Sequence, residues 1–498
     1  MVRNPEARGT SRAADFEGGG ARRKLCAHGL IVLLSAVCLS SIASAQTTWW
    51  RTYGGRENDL GYSVRQTTDG GYIIAGSTSS FTPTFSNVYL VKTDSRGDTL
   101  WTRTFGGTNN DEGWSVRQTN DGGYIVAGWT VPLSADNTDV YLVKTSAQGD
   151  TLWSRTYGGT SNDVSFSVQQ TSDGGYIVAG TTGSFGAGNG DAYLIKTDAA
   201  GDTLWTRTYG DTSGEEGQFV QQTTDSGYII AGRTSSFGAG RADVWLIKTN
   251  AQGETLWTGA YGGTGNDFVS SVQQTTDGGY VISGYTLSFG AGNLDVYLVK
   301  TDYQGDTLWT RTFGGTYSDG GYSVQQTTDG GYVVAGFTQS FGAGSFDVYL
   351  IKTNASGDTF WTRTYGQLSS DGGYSVQQTA DGACVVAGIT QSFGAGGFDV
   401  YLIKTDSLGN IAGIEEPLTR RPASPTRFLV QPNPFASFAR VPGHETDVFV
   451  LSDVTGRQVA VCKGDRIGAG LRPGVYFMSP VGSRAGNAAT TTIVKTAF

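Results

Sequence analysis

Seven carboxylates recur along the chain at a spacing of 52 residues, which makes them its most regular candidates for chemistry. They are Asp59, Asp111, Asp163, Glu215, Asp267, Asp319 and Asp371. Carboxylate oxygens suit hard cations such as Ca²⁺, so the series could form a set of cation sites. A carboxylate can instead cap a turn by accepting backbone N–H bonds. Because every copy carries the group, we favour turn capping, we expect no cofactor, and calcium is the one candidate ion.

Histidine is absent between residues 46 and 412, because the two histidines of the chain are His28 and His444. This absence excludes a Ser-His-Asp triad, a Cys-His pair, a His-liganded zinc and a haem ligand from that region. Only carboxylate catalysis remains, and Glu215 and Glu216 are its best candidates. Adjacent carboxylates are poorly placed to face each other across a substrate. We therefore expect no catalytic residue and no enzyme, with a carbohydrate-active hydrolase or lyase as the alternative.

Two positions vary strongly between copies while their neighbours stay constant. In the frame AGxT, the variable residues are Ser77, Trp129, Thr181, Arg233, Tyr285, Phe337 and Ile389. Near the start of the first strand, they are Tyr62, Trp114, Phe166, Gln218, Ser270, Tyr322 and Tyr374. A packed core position would not accept both Ser and Trp, so we expect partial exposure.

Exposed aromatic side chains suit stacking on sugar rings or gripping a peptide. The candidate ligand-binding residues are Trp114, Trp129, Arg233, Tyr285, Phe337, Tyr322 and Tyr374. The alternative is that these are variable surface residues with no ligand.

The elements that carry these residues follow from an internal repeat of 52 residues without insertions. It is marked by Trp49, Trp101, Trp153, Trp205, Trp257, Trp309 and Trp361. Each unit contains four strand-like runs, as in SFSVQQT, GYIVAGTT, DAYLIKTD and DTLWTRTYG within residues 165–210. Short Gly-bearing turns join the first run to the second and the third to the fourth, which predicts a four-stranded antiparallel blade.

The ends of the array predict a closed ring. The chain enters at TTWWRTYGG, a fourth-strand sequence, and the seventh unit breaks after its third strand at Lys404. The N-terminal strand can complete the last blade and remove exposed edges. We therefore predict an all-β fold, a seven-bladed β-propeller over residues 46–412, with the repeated Trp packed between blades. The longer connections share one face, where we expect the site to lie around the central channel.

The pieces DGGYIVAGxT and DxxGDTLW resemble bacterial propeller repeats of the Kelch-like and quinoprotein-like kinds. This resemblance covers residues 46–412 and leaves function open.

The last part of the chain predicts a separate domain. Residues 413–427 form a Pro-rich, charged linker, and residues 428–498 show alternating apolar residues typical of a small β-sandwich. Three motifs occur in order in this domain, and their residues are Pro432, Asn433, Pro434, Phe435, Asp453, Gly456, Arg457, Gly474, Val475, Tyr476 and Phe477. With these motifs the domain resembles the C-terminal sorting domain of the type IX secretion system. The resemblance implies that the secretion machinery is a partner and that the protein crosses the outer membrane of a Gram-negative-type cell.

Residues 1–45 are typical of a secretory signal peptide. A basic stretch at 22–24 precedes an apolar run at 30–39, and Ala43-Ser44-Ala45 predicts cleavage before Gln46. No later segment has the ~20 apolar residues of a membrane helix, so we expect no transmembrane segment. After cleavage only Cys384 and Cys462 remain, so no disulfide framework is expected. The expected location is secreted or at the cell surface.

The net charge of the repeat region limits the classes of partner that we expect. Residues 46–412 hold 19 Lys and Arg against 35 Asp and Glu, a net charge of −16, which does not favour nucleic acid. We therefore expect a non-enzymatic binding or adhesion module for glycan, protein or cell-wall material. A structural spacer that contacts partners only through its rim is a further alternative.

Overall fold

The computed structural model describes residues 48–82, 85–132, 137–411, 437–441, 448–453, 457–480 and 491–495. These ranges form strands, turns and bends, and no helix occurs within them. The fold class is all-β, as expected from the Gly, Thr and aromatic content of the repeats.

The repeats form four-stranded antiparallel blades in which the strands are ordered as in the chain. Blade 1 consists of β2 (Asp59–Gln66), β3 (Tyr72–Thr78), β4 (Asn87–Thr93) and β5 (Thr99–Phe105). Blade 2 consists of β6 (Asp111–Gln118), β7 (Tyr124–Thr130), β8 (Asp139–Thr145) and β9 (Thr151–Tyr157). Blade 3 consists of β10 (Asp163–Gln170), β11 (Tyr176–Thr182), β12 (Asp191–Thr197) and β13 (Thr203–Tyr209). Blade 4 consists of β14 (Glu215–Gln222), β15 (Tyr228–Thr234), β16 (Asp243–Thr249) and β17 (Thr255–Tyr261).

The remaining three blades follow the same plan, with one difference at the end. Blade 5 consists of β18 (Asp267–Gln274), β19 (Tyr280–Thr286), β20 (Asp295–Thr301) and β21 (Thr307–Phe313). Blade 6 consists of β22 (Asp319–Gln326), β23 (Tyr332–Thr338), β24 (Asp347–Thr353) and β25 (Thr359–Tyr365). Blade 7 consists of β26 (Asp371–Gln378), β27 (Cys384–Thr390), β28 (Asp399–Lys404) and the N-terminal β1 (Trp49–Tyr53).

Strand β1 closes the ring. It pairs antiparallel with β28, with Trp49 opposite Lys404 and Tyr53 opposite Val400. The first strand of each blade also contacts the first strands of both neighbours, and this chain of contacts includes β2 with β26. The predicted all-β fold of seven four-stranded blades is therefore confirmed, and the pairing of β1 with β28 is consistent with the predicted closure by the N-terminal strand.

The core lies between the blades. In one interface, Ile73 and Leu90 of blade 1 pack with Tyr124 and Val126 of blade 2, all fully buried. Six of the seven repeated Trp residues meet the Tyr that begins the second strand of the next blade, as in Trp101 and Tyr124 at 5.9 Å between ring centroids. Trp361 instead packs in the cluster that contains Cys384, the residue that begins the second strand of blade 7. Edge-to-face aromatic pairs of this kind add to the energy of area burial, so the Trp series stabilises the interfaces.

The repeated lysine of each third strand is buried and paired. Lys92, 3% exposed, places Nζ 2.9 Å from Asp69 Oδ2 and donates to the Thr93 carbonyl at 2.8 Å. Burial would raise the pKa of Asp69, but hydrogen bonds from Thr67 and Lys92 outweigh it and lower the pKa to about 2. Each lysine therefore anchors the turn between the first two strands of its own blade.

Side chains also connect the inner strands of neighbouring blades. Ser63 Oγ of blade 1 accepts from the Val116 backbone N–H of blade 2 at 3.3 Å. Gln377 Oε1 of blade 7 accepts from the Gln66 N–H of blade 1 at 2.8 Å. These bonds satisfy N–H groups on the inner edge of each sheet, which has no further strand to pair with.

The described C-terminal residues form a four-stranded antiparallel sheet in the order β30-β29-β31-β32. Its strands are β29 (Val448–Ser452), β30 (Gln458–Lys463), β31 (Gly474–Pro480) and β32 (Thr491–Lys495). Phe449, Leu451 and Met478 pack with Ala439 and Ile467, which form an isolated bridge. The described ranges thus contain one of the two sheets that the sandwich prediction requires.

Candidate functional site

A β-bulge in every inner strand turns one side chain into the central channel. In blade 1, Gly61 pairs with Gly76 and Ser63 with Ala75, so Tyr62 between them is the extra residue. The other six inner strands shift register at the equivalent residue. The seven bulge residues are Tyr62, Trp114, Phe166, Gln218, Ser270, Tyr322 and Tyr374, and all of them line one cavity. Bulges of this type redirect a side chain, which explains why this position faces the channel.

The bulge also explains the constant glycine of the AGxT frame. At Gly76 an added Cβ would lie 1.7 Å from the Leu60 carbonyl oxygen. Because the clashing atom belongs to the backbone, a change of side-chain rotamer could not remove the clash. The same clash would occur at the glycine of each other blade, as at Gly232, where the added Cβ would be 1.8 Å from the Glu216 carbonyl oxygen. Glycine is required here by close backbone approach.

The cavity has a volume of about 430 Å³ and opens at the ends of the inner strands where the long connections lie. Its aromatic wall, here called the aromatic mouth, consists of Tyr62, Trp114, Phe166, Phe268, Tyr285, Tyr322 and Tyr374. Tyr62 stacks on Trp114 with ring centroids 4.2 Å apart, and Tyr322 stacks on Tyr374 at 4.6 Å. Edge-on contacts join Tyr62 to Tyr374 at 5.5 Å and Tyr285 to Tyr322 at 6.4 Å. Trp114 also meets Phe166 edge-on at 5.5 Å, so aromatic contacts run from blade 3 through blades 2, 1, 7 and 6 to blade 5.

Blade 4 interrupts this aromatic wall with a polar group. Arg233 Nη2 lies 2.5 Å from Glu216 Oε1, and Gln218 Nε2 donates to Glu216 Oε2 at 2.9 Å. The Arg233 guanidinium also lies 5.5 Å from the ring centroid of Phe268 in the next blade. Within the described residues Arg233 Nε is buried and has no hydrogen-bond partner. An unsatisfied buried donor is costly. The Arg233 side chain as a whole is 31% exposed, so other parts of it are accessible from the cavity.

Burial determines the protonation state of the ionisable side chains at the aromatic mouth. It raises the pKa of Tyr62, Tyr322 and Tyr374 above the usual value, so their phenols are neutral at physiological pH. Burial also raises the pKa of Glu112, although the Trp114 indole N–H donates to its carboxylate at 3.0 Å and acts in the opposite direction. The aromatic mouth thus presents uncharged aromatic side chains, and the Arg233–Glu216 ion pair of blade 4 is its charged part.

The structure brings together most of the predicted ligand-binding residues. Trp114, Arg233, Tyr285, Tyr322 and Tyr374 line the same cavity. Phe337 does not line it but packs behind Tyr322, with ring centroids 5.4 Å apart.

Trp129 is half-buried beside Glu112 in the strand ladder and lies outside the cavity lining. The expectation of partial exposure is wrong for Ser77, which is 3% exposed. This small side chain lies beside the Tyr62 phenol, which covers it.

The sequence reasoning did not identify the second residue of each inner strand as a ligand-binding position, and it considered Glu216 there only as a catalytic carboxylate. Glu216 and Phe268 both hold this position and both line the cavity. Their cross-strand partners in the bulged register are Arg233 and Tyr285, two of the predicted residues. The sequence did contain a signal for this position, because its residue type varies between the repeats, as in Leu60, Glu112 and Gly320.

The seven carboxylates that recur every 52 residues accept hydrogen bonds from backbone N–H groups of the adjacent turns. Asp163 Oδ2 accepts from the Gly159 N–H at 2.8 Å and from Ser184 Oγ at 2.6 Å. The N–H bond recurs with Asp59, Asp111, Asp267, Asp319 and Asp371. Glu215 accepts from the N–H groups of Asp211 at 2.9 Å and Ser236 at 3.1 Å. Among the residues that the structure describes, no group of three or more His, Cys, Asp or Glu side chains is placed to hold a metal ion.

Glu215 and Glu216 do not form an acid–base pair. They are consecutive residues of β14, so their side chains point to opposite faces of the sheet. Burial would raise the pKa of Glu215, but hydrogen bonds from Asp211, Ser236 and Thr234 lower it overall. Glu216 is held by Arg233. This geometry gives the hydrolase alternative no pair of carboxylates facing one another in blade 4.

The predicted sorting motif is described in part. Pro432 to Phe435 and Gly456 lie outside the described residues. Arg457 donates from its backbone N–H to Asp453 Oδ1 and from Nε to Oδ2, both at 3.1 Å, which closes the turn between β29 and β30. Gly474, Val475, Tyr476 and Phe477 begin β31. No helix in the described ranges has the length and apolar character of a membrane span.

Comparison with known proteins yields one curated relative and many structural neighbours. No protein-family model matches the chain. The regulatory protein FlaEY of Caulobacter vibrioides is 26% identical over 293 residues, which cover 54% of this chain and 28% of FlaEY. The match thus spans well under a third of the length of that curated relative.

Two solved structures illustrate the structural likeness. The WD40 domain of Neurospora crassa Pan2 has 12% identity and a TM-score of 0.41, covering 71% of this chain and 95% of that chain. PorZ, a surface component of the type IX secretion system of Porphyromonas gingivalis, has 10% identity and a TM-score of 0.39, covering 89% of this chain and 60% of that one. At these identities the likeness concerns the fold alone.

Proposed function

We propose that this protein is a non-enzymatic, exported binding module that takes a glycan unit into the aromatic mouth. The observation that carries the proposal is an aromatic wall that six blades provide beside the partly exposed Arg233–Glu216 pair of blade 4. Sugar rings present apolar faces that pack on aromatic side chains and hydroxyls that accept hydrogen bonds from Arg. A cavity of about 430 Å³ is large enough for a saccharide unit and is within the usual range of ligand pockets.

Export is part of the same proposal. The signal-like residues 1–45 and the motifs of residues 428–498 support delivery to the cell surface or the exterior through a type IX-like route. The secretion machinery would then be the partner of the C-terminal domain, and extracellular glycan the partner of the propeller. No nucleic acid, cofactor or catalytic residue is invoked.

The test is a glycan array followed by titration calorimetry with the intact chain, with and without calcium. The informative variant combines Glu216→Val and Arg233→Thr, which places the residues of blade 3, Val164 and Thr181, in blade 4. Because blade 3 folds with these residues, we expect the unfolding temperature to change by no more than a few degrees. We expect saccharide binding that weakens at least about tenfold in this variant, since hydrogen bonds to charged groups are strong.

Trp129→Thr, outside the cavity, is the matched control and should bind as the unaltered protein does. An array with no saccharide ligand and a positive screen of extracellular proteins would replace glycan by protein as the ligand class. Equal binding by the blade 4 variant would reject the aromatic mouth as the site.

A further inference from the structure

The channel has a second cavity at its opposite end, near the short turns between the first and second strands. It has a volume of about 640 Å³ and is lined by side chains from the last residues of the inner strands. One residue from each blade forms its wall, here called the donor collar: Arg65, Arg117, Gln169, Gln221, Gln273, Gln325 and Gln377. Arg65, Phe219, Ser271 and Ser323 line both cavities, so they lie between the two ends of the channel.

The five glutamines of the donor collar all have their amide oxygen engaged. Gln169 Oε1 accepts from the Gln222 N–H at 2.7 Å, and Gln221 Oε1 accepts from the Gln274 N–H at 2.7 Å. Gln273, Gln325 and Gln377 make the equivalent bond to the next blade. Because the partner is a backbone donor, the oxygen and nitrogen of each amide are assigned by the bond itself. The NH₂ group of each glutamine remains as a donor on the cavity side.

Blades 1 and 2 carry arginine where the other blades carry glutamine. Arg65 and Arg117 make no ion pair among the described residues, and Arg65 Nη1 donates only to the neighbouring Val64 carbonyl at 2.7 Å. Burial lowers the pKa of Arg65 to about 10, so the guanidinium stays charged at neutral pH. Arginine has no acceptor atom, so the N–H groups of Gln118 and Gln170 lose the acceptor that glutamine supplies in the other blades.

The donor collar therefore combines two guanidinium groups and five amide NH₂ groups, and no Asp or Glu lines the cavity. The other polar residues of the lining are uncharged: Gln118, Asn120, Gln170, Thr171, Ser172, Gln222, Ser271 and Ser323. This absence of lining carboxylates contrasts with residues 46–412 as a whole, where acidic residues outnumber basic ones by 35 to 19. Buried guanidinium groups without a counter-charge are costly, and a bound anion would supply that charge. Such a convergence of donors matches the oxygens of carboxylate, sulfate or phosphate groups.

We propose that the donor collar is a binding site for a small oxyanion that carries at least two negative charges. The two arginines of neighbouring blades would hold the charged groups, and the glutamine NH₂ groups would hold the remaining oxygens. The volume exceeds that of a single inorganic ion, which favours a ligand with several oxyanion groups. This site lies at the end of the channel opposite the aromatic mouth and does not depend on the glycan proposal.

The test is titration calorimetry of the intact chain with citrate, sulfate and inorganic phosphate, with mannitol as the uncharged comparison. The decisive variant is Arg65→Gln with Arg117→Gln, which makes all seven collar positions alike. Glutamine at these positions restores an acceptor for Gln118 and Gln170, so the variant should unfold at an unchanged or higher temperature. We expect citrate to bind the intact chain in one-to-one ratio and at least about 30-fold more weakly to the variant.

Two controls separate this site from general electrostatics and from the aromatic mouth. Arg96→Gln removes the same charge from an exposed hairpin turn and should leave citrate binding unchanged. The blade 4 variant, Glu216→Val with Arg233→Thr, should also bind citrate normally. Absence of binding by all three anions, equal binding by the collar variant, or an equal loss in Arg96→Gln would each overturn the proposal.

Discussion

Buried carboxylates of neighbouring blades meet at the face that carries the long connections. Asp347 of blade 6 and Asp371 of blade 7 both lie beside Gly366, on the side where a Cβ would project. A Cβ added there would lie 2.2 Å from Asp347 Oδ1 and 2.5 Å from Asp371 Oδ2, so only glycine fits. Both carboxylates are 1% exposed. Two negative charges this close in a buried place disfavour ionisation of both.

The Asp347 pair should make stability depend on pH. Burial, with the Asp371 charge, raises the pKa of Asp347 to about 6. Because the pKa of Asp347 is higher in the folded protein than in the unfolded chain, protonated Asp347 favours the folded state. This contribution to the free energy of unfolding is complete below about pH 4 and is lost as the pH rises through about 6. Asp347→Asn removes the charge and keeps an acceptor for the Ala343 and Gly344 N–H groups. We expect it to raise the free energy of unfolding by about 1–3 kcal/mol at pH 7 and to have little effect at pH 4, measured by denaturant unfolding.

Blade 1 provides the control for this prediction. There Asn87 stands in place of the aspartate, and its amide nitrogen, oriented toward acceptors, lies 3.3 Å from Asp111 Oδ2. Asn87→Asp creates one more acidic pair and should destabilise the protein at pH 7 but not at pH 4. If both variants showed the same change at the two pH values, charge would not be the cause.

At the scale of elements, strand β1 joins the two ends of the ring. Trp49 is 8% exposed and packs edge-on against Tyr72 of blade 1, while its strand pairs with β28 of blade 7. The Tyr53 hydroxyl adds a bond of 2.7 Å to the Gly97 carbonyl. Strand β1 thus holds blade 1 and blade 7 together through both backbone and side chains.

Removal of residues 48–53 should open the ring. Without these residues, β28 becomes an exposed edge strand and the interface with blade 1 loses its aromatic residues. We expect the unfolding temperature to fall by more than about 10 °C and self-association to appear in size-exclusion chromatography. Adding a peptide of residues 46–56 should restore both properties. An unchanged melting curve in the shortened chain would show that β1 does not contribute to closure.

The strands could be predicted from the sequence, but the inner-strand geometry could not. The 52-residue period and the Gly-bearing turns locate all four strands of each blade. Strict alternation would place Tyr62 and Val64 on one face, yet Tyr62 faces the channel and Val64 is fully buried. The bulge at residue 62 changes the alternation and brings Tyr62 and Arg65 into the same channel. A bulge depends on the pairing of two strands, which the sequence of one strand does not reveal.

The candidate site, too, could be predicted from the sequence only in part. Five predicted ligand-binding residues meet in one cavity, because variation between otherwise constant copies marks side chains that are free of core packing. The Glu216–Arg233 pair required the bulged register of β14 and β15. The donor collar also escaped prediction, because the sequence does not show which atom of a glutamine amide is engaged.

At the scale of the whole molecule, the ring has no covalent closure. Both described cysteines are free, and Cys384 is 3% exposed in the interface of blade 7. Burial raises the pKa of its thiol to about 12, so it is neither ionised nor accessible in the folded protein.

Alkylation of Cys384 should therefore report global opening. With iodoacetamide at pH 8, we expect Cys462, which is partly exposed, to react first. Cys384 should react only at the rate at which the ring unfolds, measured independently by a change in Trp fluorescence in denaturant. Rapid modification of Cys384 in the folded protein would show that blade 7 opens separately.

The bonding of the donor collar has a consequence for how a repeat protein of this kind can diversify. Each collar glutamine contributes one bond to its neighbour, and Arg65 and Arg117 show that the ring tolerates its loss. A Gln codon becomes an Arg codon by a single nucleotide change. A gene built from duplicated blades can thus raise the charge of this channel end one blade at a time, from neutral to one positive charge per blade, while the scaffold stays the same.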